Sequence, residues 1–182
     1  MENLQVIGKR SSVSIKDKTF SLVILPTDDK KKTMLLFAWL LAWSVSGVII
    51  MANYFTLTNE KAKMMILVWL AFWAYFEYKI IKVFMWKRFG KEMLWIKNGT
   101  LHYQQNTNGK GKIEEYDLNL VSDWKLIEVE AANFSDNFNQ TFWVKGGERI
   151  EFTCQGKAVK LGMQLSNEDA KVILKLIEKT VK

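Results

Sequence analysis

The feature that most constrains this chain is a run of 23 residues without a charged side chain, from Thr33 to Phe55. About 20 consecutive apolar residues in a helix cross the hydrocarbon core of a bilayer. A second apolar segment, from Met64 to Trp86, begins with 13 uncharged residues before Glu77, Lys79 and Lys82 appear. Lysines near the end of a membrane helix can extend their ammonium groups to the lipid headgroups. The sequence therefore predicts two transmembrane helices, one over 33–55 and one over 64–86.

The positions of lysine and arginine around these segments predict their orientation. Eight cationic residues lie in the ranges 30–32 and 79–91, whereas the short loop at 56–63 holds two. The cytoplasmic flanks of membrane helices are enriched in Lys and Arg. We therefore expect a multi-pass protein of the cell (inner) membrane, with an external loop at 56–63 and both termini in the cytoplasm. A signal peptide is not expected, since residues 1–21 lack an apolar core.

Net charge is distributed unevenly along the chain. Residues 1–32 carry a net charge of +3 and residues 33–91 carry +5, whereas residues 92–182 carry −1. The cations therefore lie beside the predicted membrane segments, where they can meet anionic lipid. A nucleic-acid-binding domain would need a basic face, so membrane lipids are expected partners and nucleic acid is not. The single cysteine, Cys154, favours a reducing compartment.

Small and aromatic residues recur at a spacing of four on the two predicted helices. Small residues let membrane helices approach closely, and tryptophans away from the lipid interface indicate helix packing. The packing partner is either the other helix of the pair or another membrane protein. The candidate packing residues are Ala38, Trp39, Ala42, Trp43, Ser46, Trp69 and Trp73.

Glu77 is the candidate polar site within the membrane, about one turn inside the hydrocarbon, where a charge is costly and often functional. In a small oligomeric transporter component, Glu77 would relay protons or cations. Alternatively, it lies near the headgroups, protonated or hydrogen-bonded to an indole or a tyrosine. Two helices alone cannot enclose a path, which favours the second interpretation.

From residue 91 onward, the sequence changes to short segments typical of β-strands, separated by turn residues. Asn98-Gly99 is a strong hairpin signal, and a further strand pair is expected across Gly146-Gly147. The predicted strands cover 93–97, 100–105, 112–118, 123–130, 141–154 as that pair, and 157–163.

The two ends of the chain complete this β-rich part. Ser166 is a typical N-cap residue, and apolar residues recur after it at helical spacing, which predicts an amphipathic helix over 166–180. Residues 12–26 also read as extended, and an isolated strand or hairpin is marginally stable in water. We therefore expect the N-terminal cytoplasmic segment, 1–32, to contribute a strand or hairpin to the sheet formed after residue 91.

The strand order, the turn spacing and the final helix resemble bacterial pleckstrin-homology-like (PH-like) domain membrane proteins with a two-helix hairpin inserted in the domain. The segments that carry the resemblance are LVILP, the tryptophan-rich hairpin, WKRFGKEMLWIKNGTLHY, EEYDL and GKAVKLGMQLSNEDA. The resemblance implies a membrane α-helical hairpin plus an α+β, mainly β, cytoplasmic domain over 91–182. That domain would be a bent antiparallel sheet of about seven strands capped by a C-terminal helix, and a binding module without catalytic activity. The hairpin replaces the basic loop of lipid-binding pleckstrin domains, so a headgroup pocket is not expected.

Side chains suited to catalysis are few and scattered. His102 is the single histidine, Cys154 has no histidine nearby, and no spacing of Cys, His or carboxylates matches a metal site. We therefore expect no enzymatic activity, no cofactor and no metal.

The aromatic residues Phe134, Phe138 and Phe142 lie four apart, with Trp143 beside the last, and are the candidate partner-docking residues. As a helix, they would form a stripe that docks on lipid or on a protein; as a loop, they would fold over the sheet. The sequence thus favours a non-catalytic accessory or scaffold subunit of a membrane assembly, whose PH-like domain binds a protein. The alternative is the transporter component using Glu77. A lipid sensor is disfavoured by the net charge of −1 over 92–182.

Overall fold

The computed structural model of the chain describes residues 3–16, 19–27, 29–127 and 143–181. The chain divides into two compact units. The first, the β domain, comprises Met1–Asp28 together with Phe89–Lys182. The second, the hairpin, comprises Asp29–Arg88.

Two long helices, α1 (Lys30–Tyr54) and α2 (Glu60–Phe89), form the hairpin. Asp29 caps α1, because its carboxylate accepts a hydrogen bond from the Lys32 backbone N–H at 3.1 Å. That bond is the main reason why the pKa of Asp29 is lowered. Both helices are long and apolar enough to cross a membrane, by their length and composition.

Six strands form the first sheet of the β domain, and its order follows the chain from β1 to β6. All neighbours are antiparallel. β3 pairs with β4, with Phe20 opposite Ile96 and Ile24 opposite Glu92. The hairpin is therefore inserted between two adjacent strands of one sheet. The strands are β1 (Asn3–Ile7), β2 (Ser11–Lys16), β3 (Thr19–Ile24), β4 (Gly90–Lys97), β5 (Thr100–Thr107) and β6 (Ile113–Asp117).

Three further strands, β7 (Val121–Leu126), β8 (Ile150–Cys154) and β9 (Lys157–Leu161), form a second antiparallel sheet in that order. A short 3₁₀ turn, Leu118–Leu120, joins β6 to β7. The C-terminal helix α3 (Asn167–Val181) begins after Ser166, whose hydroxyl accepts a hydrogen bond from the Asp169 backbone N–H at 3.0 Å.

The core of the β domain forms from alternate residues of the strands and one face of α3. Strand alternation places every second side chain inside, and burying one large apolar side chain contributes about 1.5–3 kcal/mol. The helix closes this core, since it packs against β1 and β7. The most buried members are Val13, Phe20, Leu22, Ile24, Leu94, Leu101, Ile150, Phe152, Leu161, Ala170, Ile173 and Ile177.

The number and grouping of the strands differ from the expectation of one sheet of about seven strands. The described residues form nine strands in two sheets. Residues 3–7 form β1, which was not expected, and the segment 12–26 supplies both β2 and β3. Gly8, with a φ of 60°, reverses the chain between β1 and β2.

The expected strand pair across Gly146-Gly147 is wrong where the structure describes it, because residues 143–149 form no strand. The Gly147 carbonyl accepts a hydrogen bond at 2.7 Å from the Gln164 backbone N–H, in the connection between β9 and α3. Strand β8 instead pairs with β7 and β9. The two glycines are typical turn residues and therefore suggest a hairpin. In the structure, the Gly147 carbonyl instead bonds to Gln164, which is distant in the sequence.

Candidate functional site

Glu92 on β4 is a deeply buried carboxylate, with 2% of the residue exposed. Its Oε1 accepts a hydrogen bond from the Met163 backbone N–H at 2.8 Å. Its Oε2 accepts from the Gly162 backbone N–H at 2.8 Å and from the Tyr103 hydroxyl at 3.1 Å. Both oxygens of the buried group therefore have donors within the fold, as burial of a carboxylate requires.

Arg10 lies in the turn between β1 and β2. Its guanidinium group binds the backbone carbonyl groups of the segment that connects β9 to α3, which also supplies the backbone donors to Glu92. Its Nη1 donates to the Gln164 carbonyl at 2.6 Å and its Nη2 donates to the Met163 carbonyl at 2.9 Å. Its Nε donates to the Leu25 carbonyl at 2.9 Å. Together with Glu92, Arg10 holds residues 162–164 from both sides. We call Arg10, Glu92, Tyr103 and residues 162–164 the buried polar network.

The ionisation of this network reflects its burial. Burial raises the pKa of Glu92, and the hydrogen bonds from Met163, Gly162 and Tyr103 oppose that rise. Burial lowers the pKa of Arg10, and the nearby carboxylates oppose that change. Burial and the Glu92 carboxylate raise the pKa of Tyr103. The groups act on each other, which indicates a structural role in joining three distant parts of the chain.

Sequence reasoning missed this network, although one signal was available. In the strand GKEMLWIK, Glu92 lies two positions before Leu94 and four before Ile96, so alternation puts all three on one face. Leu94 and Ile96 are core residues. A carboxylate on the core face of a strand predicts that buried hydrogen-bond donors surround it. The sequence could not identify those donors, because they lie far from Glu92 along the chain.

The hairpin brings its four candidate tryptophans together. Trp39 stacks on Trp43 with ring centroids 5.4 Å apart, and Trp43 contacts Trp69 at 6.3 Å. The Trp73 indole N–H donates to the Trp43 carbonyl at 3.1 Å. Gly47 is buried, and a Cβ atom there would overlap the Trp73 indole. The helices thus approach closely at Gly47, which the sequence did not single out.

The predicted small-residue stripe does not form the centre of this contact. Ala38 and Ala42 are exposed within the hairpin, and the Ser46 hydroxyl donates to the Trp43 carbonyl at 2.7 Å. The face in contact instead contains Trp43 and Gly47, which lie four positions apart. Ala38 and Ala42 therefore lie on a different side of α1.

Glu77 accepts a hydrogen bond from the Ser44 hydroxyl, which also lies 2.9 Å from the Leu40 carbonyl oxygen. The partner is a serine of the other helix, not the expected indole or tyrosine. Among the described residues, Glu77 Oε2 has no hydrogen-bond partner. The Ser44–Glu77 contact joins α1 to α2 at a polar point within the apolar hairpin.

A groove of about 760 Å³ lies in the β domain, lined by residues of β5, β6 and β9, by Cys154 of β8 and the turn after it, and by Lys112 and Lys145. The Tyr116 ring packs edge-on against Phe152 with centroids 5.3 Å apart, and its hydroxyl donates to Glu114 at 2.6 Å. Burial and the adjacent Glu114 carboxylate raise the pKa of Tyr116. Lys157 and Val159 line the groove from β9. The groove therefore combines an apolar interior with charged walls.

The other candidate residues lie apart from each other. His102 stacks on Trp95 with centroids 5.0 Å apart and lies 3.5 Å from the Glu115 carboxylate. Cys154 is a buried free thiol. Trp143 is 44% exposed. The candidate docking residues Phe134, Phe138 and Phe142 lie outside the described residues. Within the described ranges, no group of three or more His, Cys, Asp or Glu residues could hold a metal ion.

No protein-family model matches the chain, and neither a curated protein nor a solved structure matches it. The fold itself therefore defines the class. The chain combines two helices that are long and apolar enough to cross a membrane with a mostly antiparallel β domain and a C-terminal helix.

Proposed function

We propose that the chain is a non-catalytic, two-span membrane protein whose PH-like β domain binds a protein partner, as an accessory or scaffold subunit of a membrane assembly. The observation that carries this proposal is the pairing of β3 with β4 across the inserted hairpin. Because these strands are neighbours in one sheet, the start of α1 and the end of α2 have to reach the same membrane surface. An even number of spans is the arrangement that satisfies this requirement.

The strand order supports the PH-like assignment. Strands β3 to β9 supply seven strands, and α3 follows them at the C-terminal end. This is the composition that the sequence resemblance implies, with β1 and β2 as an N-terminal addition. Such domains are binding modules, and the buried residues Glu92 and Tyr103 and the half-buried Arg10 are engaged in hydrogen bonds within the fold.

The charge distribution supports a cytoplasmic β domain that binds protein. Cations flank the hairpin in 30–32 and 79–91, which favours the cytoplasmic side for both of its ends. Residues 92–182 carry a net charge of −1, which disfavours anionic lipid as the ligand of the domain. Reporter fusions at residues 1, 58 and 182 test the orientation. We expect cytoplasmic signals from both termini, and an external signal from either terminus would contradict this topology.

The partner is tested by cross-linking in intact membranes, followed by purification of the full-length protein in mild detergent and mass spectrometry. The matched control is Ile173→Asp, which places a charge at a fully buried position of α3 and leaves the hairpin sequence unchanged. We expect a partner that is recovered with the wild type and lost with the variant. Equal recovery with both would mean that the β domain does not carry the interaction.

The alternative function, a transporter component, depends on Glu77. Its hydrogen bond with Ser44 supports a packing role, because it joins the two helices of the hairpin. Glu77→Gln retains a carbonyl oxygen that can accept this bond. Unchanged proton- or ion-dependent flux in the variant is expected for the scaffold. Loss of flux with the assembly intact would favour transport.

A further inference from the structure

In the part of the chain that the structure describes, the two sheets of the β domain end in four edge strands. The first sheet ends in β1 and β6, and the second ends in β7 and β9. The helix α3 packs against both β1 and β7. Over the ranges that the structure describes, β6 and β9 pair on one side only, and both line the groove of about 760 Å³. Unpaired strand edges are templates for a further strand.

The ladder of β5 and β6 determines which backbone groups of β6 face outward. In an antiparallel pair, opposite residues alternate between pairs that exchange hydrogen bonds and pairs that do not. The Leu118 N–H donates to the Gly99 carbonyl at 3.0 Å, directly beyond the β5–β6 register. Counting back from Leu118, Glu115 and Asp117 therefore direct their N–H and C=O groups away from β5.

Strand β9 presents its backbone in the same way. The turn Gln155–Gly156, with φ values of 50° and 75°, joins β8 to β9. A two-residue turn of this type is closed by a hydrogen bond between its flanking residues. Because Cys154 and Lys157 are that closing pair, Ala158 and Lys160 direct their N–H and C=O groups away from β8. Among the described residues, both strands thus offer backbone donors and acceptors without a ladder partner.

The side chains define what the groove accommodates. Tyr116 lies opposite the buried Leu101, and Val159 lies opposite the buried Phe152, so both point to the interior side. Carboxylates of β6 line one side of the groove, namely Glu114, Glu115 and Asp117, and lysines of β9 line the other, namely Lys157 and Lys160. Lys112, just before β6, and Lys145 are further cations of the lining.

The charged residues on the two sides of the groove determine which kind of ligand can bind in it. An anionic lipid headgroup would meet the carboxylates of β6. A second copy pairing β6 with β6 would place like charges opposite each other. A peptide that carries both charge signs, with an apolar side chain directed inward, satisfies both walls.

We propose that this groove binds an extended peptide of a partner protein, which adds as a strand between the edges of β6 and β9. The inference rests on the proposed function, that the β domain binds a protein, and it specifies where. A strand between two edges forms main-chain hydrogen bonds on both sides, and alternate side chains give selectivity. One apolar residue of the peptide would contact Tyr116 and Val159, and its neighbours would face Glu115 and Lys160.

The experiment uses the full-length protein in lipid nanodiscs and a phage-displayed library of random dodecapeptides, with empty nanodiscs as the control. An enriched peptide is then synthesised, and amide hydrogen exchange is measured with and without it. We expect protection at the amides of Glu115, Ala158 and Lys160. Failure of any peptide to enrich above empty nanodiscs, or protection confined to other strands, would overturn the proposal.

Two variants distinguish strand addition from side-chain contact. Glu115→Pro removes an outward N–H without removing a ladder bond, whereas Glu115→Gln removes only the charge. We expect the peptide to bind Glu115→Pro about tenfold or more weakly, equivalent to about 1.4 kcal/mol, and Glu115→Gln only about two- to threefold more weakly, since that variant removes one solvent-exposed charge contact. Equal binding to both variants contradicts strand addition. If Glu115→Pro does not fold, backbone N-methylation of the peptide gives the same test, since it removes the peptide's donors.

The groove and the proposed function can fail separately. A cross-linked partner whose recovery is unaffected by Glu115→Pro would leave the protein-binding function in place and exclude the groove as its site. Absence of any partner in membranes would refute the proposed function, whereas peptide protection at β6 and β9 would still support the groove. Displacement of the bound peptide by vesicles containing phosphatidylglycerol would identify a lipid site and overturn the peptide proposal.

Discussion

Glu92→Gln should destabilise the β domain, because it removes an acceptor from the buried polar network. The amide NH₂ group donates and cannot accept. Oε1 serves the Met163 N–H, and Oε2 serves the Gly162 N–H and the Tyr103 hydroxyl. Whichever oxygen is replaced, at least one buried backbone N–H loses its acceptor, which costs about 1–3 kcal/mol. We therefore expect a total loss of about 1–3 kcal/mol.

The pH dependence of this effect follows from the raised pKa of Glu92. A carboxyl group whose pKa is higher in the folded state stabilises the fold most when it is protonated. Its contribution is fully present below the ordinary value of 4.5 and is lost as the pH rises through the raised pKa. The amide of Glu92→Gln does not titrate. The difference in free energy of unfolding between wild type and variant should therefore be largest at acid pH and decrease as the pH rises.

The assay is urea unfolding of the full-length protein in detergent, together with hydrogen exchange of the Gly162 and Met163 amides. The matched control is Glu115→Gln at an exposed position of the edge strand β6, where a change within about 0.5 kcal/mol is expected. Equal unfolding midpoints for Glu92→Gln and Glu115→Gln, with wild-type exchange at both amides, would refute the role given to this network. A stability difference that does not vary with pH would refute the raised pKa.

Three further changes test the packing of the two units. Ile173→Asp should unfold the β domain, with a loss of about 3 kcal/mol or more, because it places an unpaired charge in the core; the melting temperature of the domain measures this. Gly47→Leu should separate α1 from α2, since a side chain there overlaps Trp73, and tryptophan fluorescence reports the change. A fragment of residues 91–182 should aggregate, because it exposes the β4 edge, and adding residues 10–27 through a glycine-serine linker should give a monodisperse domain on gel filtration.

Exposed neighbours provide the controls for these changes. Val172→Asp introduces the same charge beside Ile173 at a residue that is 41% exposed, and Val48→Leu enlarges a residue beside Gly47 that is 62% exposed. Both control variants should behave like the wild type. A melting temperature for Ile173→Asp within a few degrees of Val172→Asp would show that α3 does not close the core. Equal solubility of the fragment with and without residues 10–27 would show that the N-terminal strands do not complete the sheet.

Elements with strong local signals could be predicted from the sequence. The two apolar helices follow from long uncharged runs, and α3 follows from its cap at Ser166 and its helical spacing. The pairing of the N-terminal segment with the later strands could also be expected, since an apolar strand needs a partner. The same argument does not apply to β1. Its apolar residues Leu4 and Val6 are exposed in the structure, so their burial does not require a partner strand.

The contacts that depend on tertiary structure could not be predicted. The apolar helix α1 carries no polar face that would fix its rotation, so the sequence could not distinguish the side of Ala38 and Ala42 from the side of Gly47. The sequence predicts the wrong partner for strand β8, because turn residues indicate reversals but not the partners of a strand. The groove required knowledge of which edges remain unpaired, and strand order is a property of the whole domain.

The hairpin and the first sheet support each other through loop closure. Pairing β3 with β4 joins residues separated by the whole hairpin, from Ile24 to Gly90. For a flexible loop of that length, the closure entropy would cost about 4 kcal/mol. The contacts of Trp43 with Trp73 and of Ser44 with Glu77 fold this segment back on itself, so its two ends are brought together independently of the sheet. Formation of the hairpin therefore lowers the entropic cost of completing the sheet, and pairing of β3 with β4 in turn restrains the two helices from separating.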